Sequence, residues 1–262
     1  MYYALLIDIG NTHTHVGLAY NGELIDTINL PTQAWTNGSM IFLLKGFCKD
    51  NKIESIAFCS VVPIASEQAR FLLEKEYGKF PFELNHHNIC EIGIDYPSPN
   101  TIGADRLANT IALSHYYGSP AVAIDFGTAV TFDIIYNSNY IGGIIAPGLA
   151  TMTTYLHEKT AQLPCIEIRE IETVIGKTTA DAMRIGAVHG YRGLIKELIT
   201  EIKNELNVTH LPVIATGGYA QLISEKIPDI QNVDADLTLK GLLLALNHQT
   251  PVKKIELNRL HL

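Results

Sequence analysis

Apolar residues run unbroken over residues 3–7 and stop at Asp-Ile-Gly-Asn, the profile of a buried strand that ends in a tight turn. The apolar pattern resumes over 16–20, Asn21-Gly22 signals a hairpin, and 23–30 supplies the next strand. Residues 40–48 read as a helix, and the β-branched stretch 53–62 as a strand. Over 66–77, Ala69, Leu72, Leu73 and Tyr77 recur at helical spacing. Residues 85–103 are polar and end among Pro97, Pro99 and Asn100, which predicts a long loop of the kind that often carries function. A helix is predicted over 104–117, with Leu107, Ala108, Ile111 and Ala112 on one face and Gly118 and Pro120 as its stop. A second buried strand, 121–124, ends in Asp-Phe-Gly-Thr, followed by a strand over 130–136 and a turn at 137–139. Thr178 or Thr179 caps a helix expected to run unbroken towards Leu206, with Ala180, Met183, Ala187, Tyr191, Leu194, Leu198 and Ile202 as its apolar stripe. A short strand at 213–215 leads into Thr216-Gly217-Gly218 and another helix, and 239–246 closes the fold.

Two of these segments echo each other. Apolar strand, Asp-x-Gly, Asn or Thr, then strand occurs at Asp8 and again at Asp125, close to half the chain apart. Such internal similarity predicts two duplicated lobes, 1–118 and 119–262, facing each other across a cleft. Alternation of strands and helices makes each lobe α/β.

Composition narrows the function classes. A net charge of −8 argues against a nucleic-acid partner, which requires a cationic surface. The N-terminal apolar run stops at Asp8, and the stretch 141–149 is broken by glycines and Pro147, so neither a signal peptide nor a membrane span is expected. Cys48, Cys59, Cys90 and Cys165 form no C-x-x-C pair, which suits a reduced, cytoplasmic setting. The pairs His13/His15 and His86/His87 lack a third ligand at a supporting spacing, so they are read as ordinary polar residues.

The candidate chemistry lies at the turns. Gly10 permits a sharp turn whose outward backbone N–H groups can cradle phosphate oxygens, with Asn11 and Thr12 as neutral donors. Asp8 at the strand end can hold a metal ion through water; a plain hairpin with an Asx turn has the same local pattern. The second copy, Asp125 to Ala129, suits a second phosphate loop closing on the same triphosphate. Gly103-Ala104-Asp105-Arg106 opens a helix, where Asp105 can serve as a base for an alcohol acceptor and the helix start would favour its anion. A helix-start Asp paired with Arg106 is the structural alternative. Gly142-Gly143, Pro147-Gly148 and Thr216-Gly217-Gly218 permit close approach of a ligand to backbone, or are simply tight turns.

Taken together, DIGNTHTHVG (8–17), Tyr96, GADR (103–106), DFGTAVT (125–131), GGIIAPG (142–148), GKTT (176–179) and TGG (216–218) resemble the type III pantothenate kinases. The resemblance implies two ribonuclease-H-like lobes of the actin-like ATPase fold, a homodimer, and phosphorylation of pantothenate by ATP with Mg²⁺. It implies ATP contacts at Asp8, Ile9, Gly10, Asn11, Thr12, His13, Thr14, His15 and Thr128. It implies pantothenate contacts at Tyr96, Gly103, Ala104, Asp105, Arg106 and Thr179, with Asp105 as proton acceptor. Asp125 would bind a monovalent cation, potassium or ammonium. Thr178 stands where the family commonly has Asn, which leaves Thr178 and Thr179 both open as the contact. A kinase for another small hydroxylated metabolite and an ATP-binding regulator without catalysis are the alternative functions.

Overall fold

The computed structural model describes residues 2–249; Met1 and residues 250–262, the end of the expected second lobe, lie outside them. Strands β1 (Tyr3–Ile9), β2 (His13–Tyr20) and β3 (Glu23–Pro31) form an antiparallel meander. On the other side of β1, β4 (Ile53–Ser60) and the short β5 (Phe82–Glu83) pair in parallel, giving the order β3-β2-β1-β4-β5. The second sheet repeats the plan. Strands β7 (Ala121–Phe126), β8 (Ala129–Tyr136) and β9 (Asn139–Pro147) form the meander, and β10 (Val213–Thr216) and β11 (Asn232–Val233) extend it in parallel beyond β7. Its far edge is β6 (Gly93–Ile94), which lies within the predicted long loop and pairs with β9.

Helices α3 (Ala104–Tyr117) and α8 (Leu237–Gln249) pack on each other between the sheets. Outside the first sheet lie α1 (Met40–Cys48) and α2 (Pro63–Tyr77). Outside the second lie α4 (Leu149–Lys159), α6 (Tyr191–Glu205) and α7 (Ala220–Ser224). The helix predicted to run from 178 towards 206 is divided: α5 (Thr179–Ile185) and α6 are joined by one turn of π-helix, Gly186–Gly190. The apolar stripe continues on both sides of that turn, so periodicity alone does not reveal it.

The strands' period of two sorts their side chains. In β1, Leu5, Ile7 and Ile9 enter the outer core, while Ala4 and Leu6 face α3 and α8. In β7, Val122, Ile124 and Phe126 point outward, and Ala121 and Ala123 inward. The inner side chains of β1, β2, β4 and β7 are mostly alanines, which let the helix pair approach both sheets closely. The same parity turns Asp8 and Asp125 inward, at the C-terminal ends of their strands.

Among the described residues no helix is long and apolar enough to cross a membrane, and the four cysteines are free. The α3–α8 contact has little slack: a Cβ on Gly241 would lie 1.8 Å from the carbonyl oxygen of Ala108. Gly241→Ala gains up to about 1 kcal/mol of helix propensity. Forcing the helices apart costs about 1–3 kcal/mol and also disturbs both inner faces, so loss is expected to win. Thermal unfolding of Gly241→Ala should show a Tm several degrees below wild type; an unchanged Tm would mean that the helix pair can separate freely.

Candidate active site

The two Asp-x-Gly turns meet. Thr12 Oγ1 and Thr128 Oγ1 are 3.3 Å apart, joining the turn after β1 to the turn after β7. Each turn closes on itself by a glycine N–H, Gly10 to the carbonyl of His13 at 3.0 Å and Gly127 to that of Ala129 at 3.1 Å. Gly148, at the start of α4, donates to the Thr128 carbonyl at 3.1 Å, and Thr151 Oγ1 donates to the same oxygen at 2.6 Å. The start of α4 is thereby fixed against the second turn. The Gly142-Gly143 and Pro147-Gly148 stretch is strand β9 running into that helix.

Beneath the turns, Asp8, Asp105 and Asp125 lie within electrostatic reach of one another. Burial raises the Asp8 pKa to about 8, with further upward pressure from Asp105 and Asp125. Burial, then Asp105, raises Asp125 to about 6. Asp105 is also raised, chiefly by burial, although Arg106 lowers it through its backbone N–H, which donates to Asp105 Oδ1 at 2.8 Å, and through its charge. Desolvation therefore outweighs the stabilisation expected from the helix start. No three His, Cys, Asp or Glu side chains among the described residues close on one point as a metal cage. The arrangement instead fits a cation shared between carboxylates, water and phosphate oxygens.

The Arg106 side chain makes its hydrogen bonds away from Asp105. Its Nε donates to Asp133 Oδ1 at 2.5 Å and its Nη2 to the Phe132 carbonyl at 3.0 Å, and its guanidinium lies 5.8 Å from the centre of the Tyr140 ring. Asp133 is fully buried; burial raises its pKa to about 7 against the opposing pull of Arg106. Tyr96 packs edge-on against Tyr140, with ring centres 5.8 Å apart, and its ring lies beside Gly142. Tyr96, Gly103, Ala104, Asp105 and Arg106 thus share one region beside the carboxylates.

Other expected residues sit differently. The Ile9 side chain is in the outer core. Thr14 is fully buried, and its hydroxyl lies 3.1 Å from Thr32 Oγ1 and accepts from Trp35 Nε1 at 3.1 Å. Either residue can meet a ligand only through its backbone. His15 faces Asp236 just ahead of α8 at 3.6 Å, and burial lowers its pKa. Asn11, Thr12 and His13 are exposed at the turn. Thr178 caps α5, accepting from the Asp181 N–H at 3.1 Å and donating to Asp181 Oδ2 at 2.8 Å. The exposed Thr179 keeps its hydroxyl free of that cap, and among the described residues no hydrogen bond ties it to the other expected site residues.

Cys59 and Asn109, neither of them expected at the site, complete it together with Gly217 of the Thr216-Gly217-Gly218 turn. Cys59, level with Asp8 on the neighbouring strand, donates to Asp8 Oδ1 at 3.4 Å. Burial first, then the charges of Asp8 and Asp105, keep this thiol protonated. Asn109, one helical turn after Asp105, is fully buried and acts on Asp125, whose pKa it lowers. Gly217, at φ +88°, covers Asp125: a Cβ there would come within 2.4 Å of Asp125 Oδ1. The signal for Asn109 was a polar residue set between apolar positions of α3; Cys59 read simply as another apolar strand residue.

Known proteins share this architecture. Solved structures with the same architecture include a ROK family glucokinase from Streptomyces griseus in complex with glucose and AMPPNP, with a TM-score of 0.56, 13% identity and coverage of 94% of this chain and 99% of that one. Another is the activator of the 2-hydroxyisocaproyl-CoA dehydratase from Clostridium difficile with bound ADPNP, with a TM-score of 0.57, 10% identity and coverage of 99% and 100%. At these identities the likeness concerns the fold, which is the two-lobed actin-like ATPase fold. Sequence relatives are closer. The type III pantothenate kinase of Methylacidiphilum infernorum is 44% identical over 92% of this chain and 86% of its own length. That of Akkermansia muciniphila is 42% identical over 92% and 97%. The family model for type III pantothenate kinase matches residues 4–201, spanning both Asp-x-Gly turns, GADR and GKTT, and the chain belongs to that family.

Proposed function

We propose that this enzyme transfers the γ-phosphate of ATP to the primary hydroxyl of pantothenate, giving 4'-phosphopantothenate, the first step towards coenzyme A. The observation that carries the reading is the convergence of Asp105 with the two strand-end carboxylates beneath the joined Thr12 and Thr128 turns. Backbone N–H groups of the turns at Gly10 and Gly127 hold the phosphates. Asp8 would hold the divalent metal, and Asp125 would hold potassium or ammonium. These cations, when bound, neutralise charge on the phosphates in the transition state. Asp105 accepts the hydroxyl proton as the new O–P bond forms and the bond to the ADP oxygen breaks. Its raised pKa makes it a better acceptor near neutrality than an exposed carboxylate. Tyr96 walls the acceptor site, and Arg106, braced by Asp133, supplies positive charge for the rest of pantothenate.

The reading includes a homodimer in the cytoplasm, with Thr179 reaching pantothenate in the partner's site. Its support is a set of exposed apolar side chains, Tyr155 and Leu156 on α4 and Val174 and Ile175 shortly before Thr179. Leaving such a set in water is unfavourable for a monomer.

Asp105→Asn keeps the shape and removes the base. Turnover at saturating ATP and pantothenate is expected to fall about 10²–10⁴-fold; turnover near wild type would refute the assignment. Ile175→Glu should shift the protein from dimer to monomer in sedimentation, and a wild type that sediments as a monomer would remove the dimer from the reading. A third expectation concerns pH. With carboxyl pKa values of about 8, 6 and 7 at Asp8, Asp125 and Asp133, against an ordinary 3.8, the folded chain keeps protons that the unfolded chain has lost. Stability contributed by these groups therefore declines as pH rises from about 4 to 8 and levels off above. Thermal scans from pH 5 to 9 should show Tm falling across this window, and less steeply with Mg²⁺-ATP and potassium or in Asp8→Asn. A slope untouched by both would contradict cation binding at these carboxylates.

A further inference from the structure

The inner layer holds three aspartates on strands, and they are supported in two different ways. Asp133 has a cation: Arg106 reaches it through Nε, and the pair is fixed further by the Phe132 carbonyl. Asp8 and Asp125 lie in the same layer, and among the described residues no lysine or arginine is one of the groups acting on them. Each has instead one neutral donor from a neighbouring element. Cys59 Sγ donates to Asp8 Oδ1 at 3.4 Å, from the adjacent strand and in register with it. The amide of Asn109 faces the Asp125 carboxylate without closing a hydrogen bond of ordinary geometry.

Both donors are held rigidly. Cys59 is fully buried on the inner face of β4. Asn109 is fully buried on α3, and its Oδ1 accepts from Thr238 Oγ1 of α8 at 2.8 Å. That bond fixes which way the amide points and turns Nδ2 away from Thr238. A buried N–H left unpaired is costly, and proteins seldom keep one without a partner to come. Catalytic hydrogen bonds often tighten only when the ligand arrives.

We propose that Cys59 and Asn109, the latter set by Thr238, are the positioning residues of the two strand-end carboxylates. Each aims its carboxylate with a neutral donor, so that the negative charge is left for cations and for the metal on the nucleotide. The inference rests on the cation and phosphate roles given above to Asp8 and Asp125. A lysine or arginine in either place would hold the carboxylate equally well and cancel the charge, as Arg106 does at Asp133.

The test uses conservative pairs: Cys59→Ala with Cys59→Ser, and Thr238→Val with Thr238→Ser. Binding of a fluorescent ATP analogue is measured at equilibrium over a Mg²⁺ titration, together with the pantothenate KM, kcat and Tm of the full chain. Cys59→Ala and Thr238→Val are expected to weaken Mg²⁺-dependent nucleotide binding about fivefold, the scale of one lost hydrogen bond. The pantothenate KM should stay within about twofold, and both serine variants, which restore a hydroxyl donor, should bind within about twofold of wild type. Alanine and valine variants that bind like wild type overturn the proposal. So do serine variants as weak as their partners, or losses of nucleotide and pantothenate affinity in step with Tm, since these would mark packing alone. Because the first readout is nucleotide binding, a wild type that failed to phosphorylate pantothenate would remove the acceptor assignment and leave this comparison intact.

Discussion

Three carboxylates held close together in a poorly solvated place repel one another, and the site is built around leaving that repulsion unrelieved. Asp8, Asp105 and Asp125 come from a strand of one sheet, the helix between the sheets and a strand of the other. Packing forces them together at an electrostatic cost, since burial disfavours each charge and each charge disfavours the next. A structural ion pair would have removed the cost. The partly buried Arg106 is used on Asp133 instead.

Much of what fixes this arrangement passes through α3 and α8. Asp105 opens α3, Asn109 follows one turn later, and Thr238 on α8 sets Asn109. Alanines on the inner faces of both sheets and Gly241 at the helix contact allow the two helices to sit close enough for these reaches. The small side chains of the central layer are thus as necessary to the chemistry as the charged ones.

Much of this was legible from residue order. The Asp-x-Gly turns could be found because each ends an apolar run, and the paired turns foretold two sheets of one plan. The helix over 104–117 was readable from the spacing of its apolar face and from Gly118 and Pro120 at its end. Strand β9 was harder to see. Its paired glycines look like a turn, whereas they lie in the ladder beside a bulge at Ile134/Ile135, where Tyr96 and Arg106 crowd the backbone. The strand β6 inside the polar loop has two residues and no apolar signature of its own. Cys59 and Asn109 gain their meaning only from what stands opposite them, and partners on another element leave no mark on local spacing. The same holds for Thr14 and His15, which share a motif with Asp8 yet face Trp35 and Asp236.

The alternation in β1 carries a consequence for how such a protein can change over time. Ala4, Leu6 and Asp8 take one side of the strand, and Leu5, Ile7 and Ile9 the other. Deleting or inserting one residue ahead of Asp8 would exchange the two sets, sending the carboxylate into the outer core and an isoleucine towards the phosphates. No single compensating substitution could repair that exchange. Lineages of this enzyme can therefore trade side chains along β1 and β7, but they can vary in length only in the connections, and the spacing within each Asp-x-Gly strand is inherited as a unit.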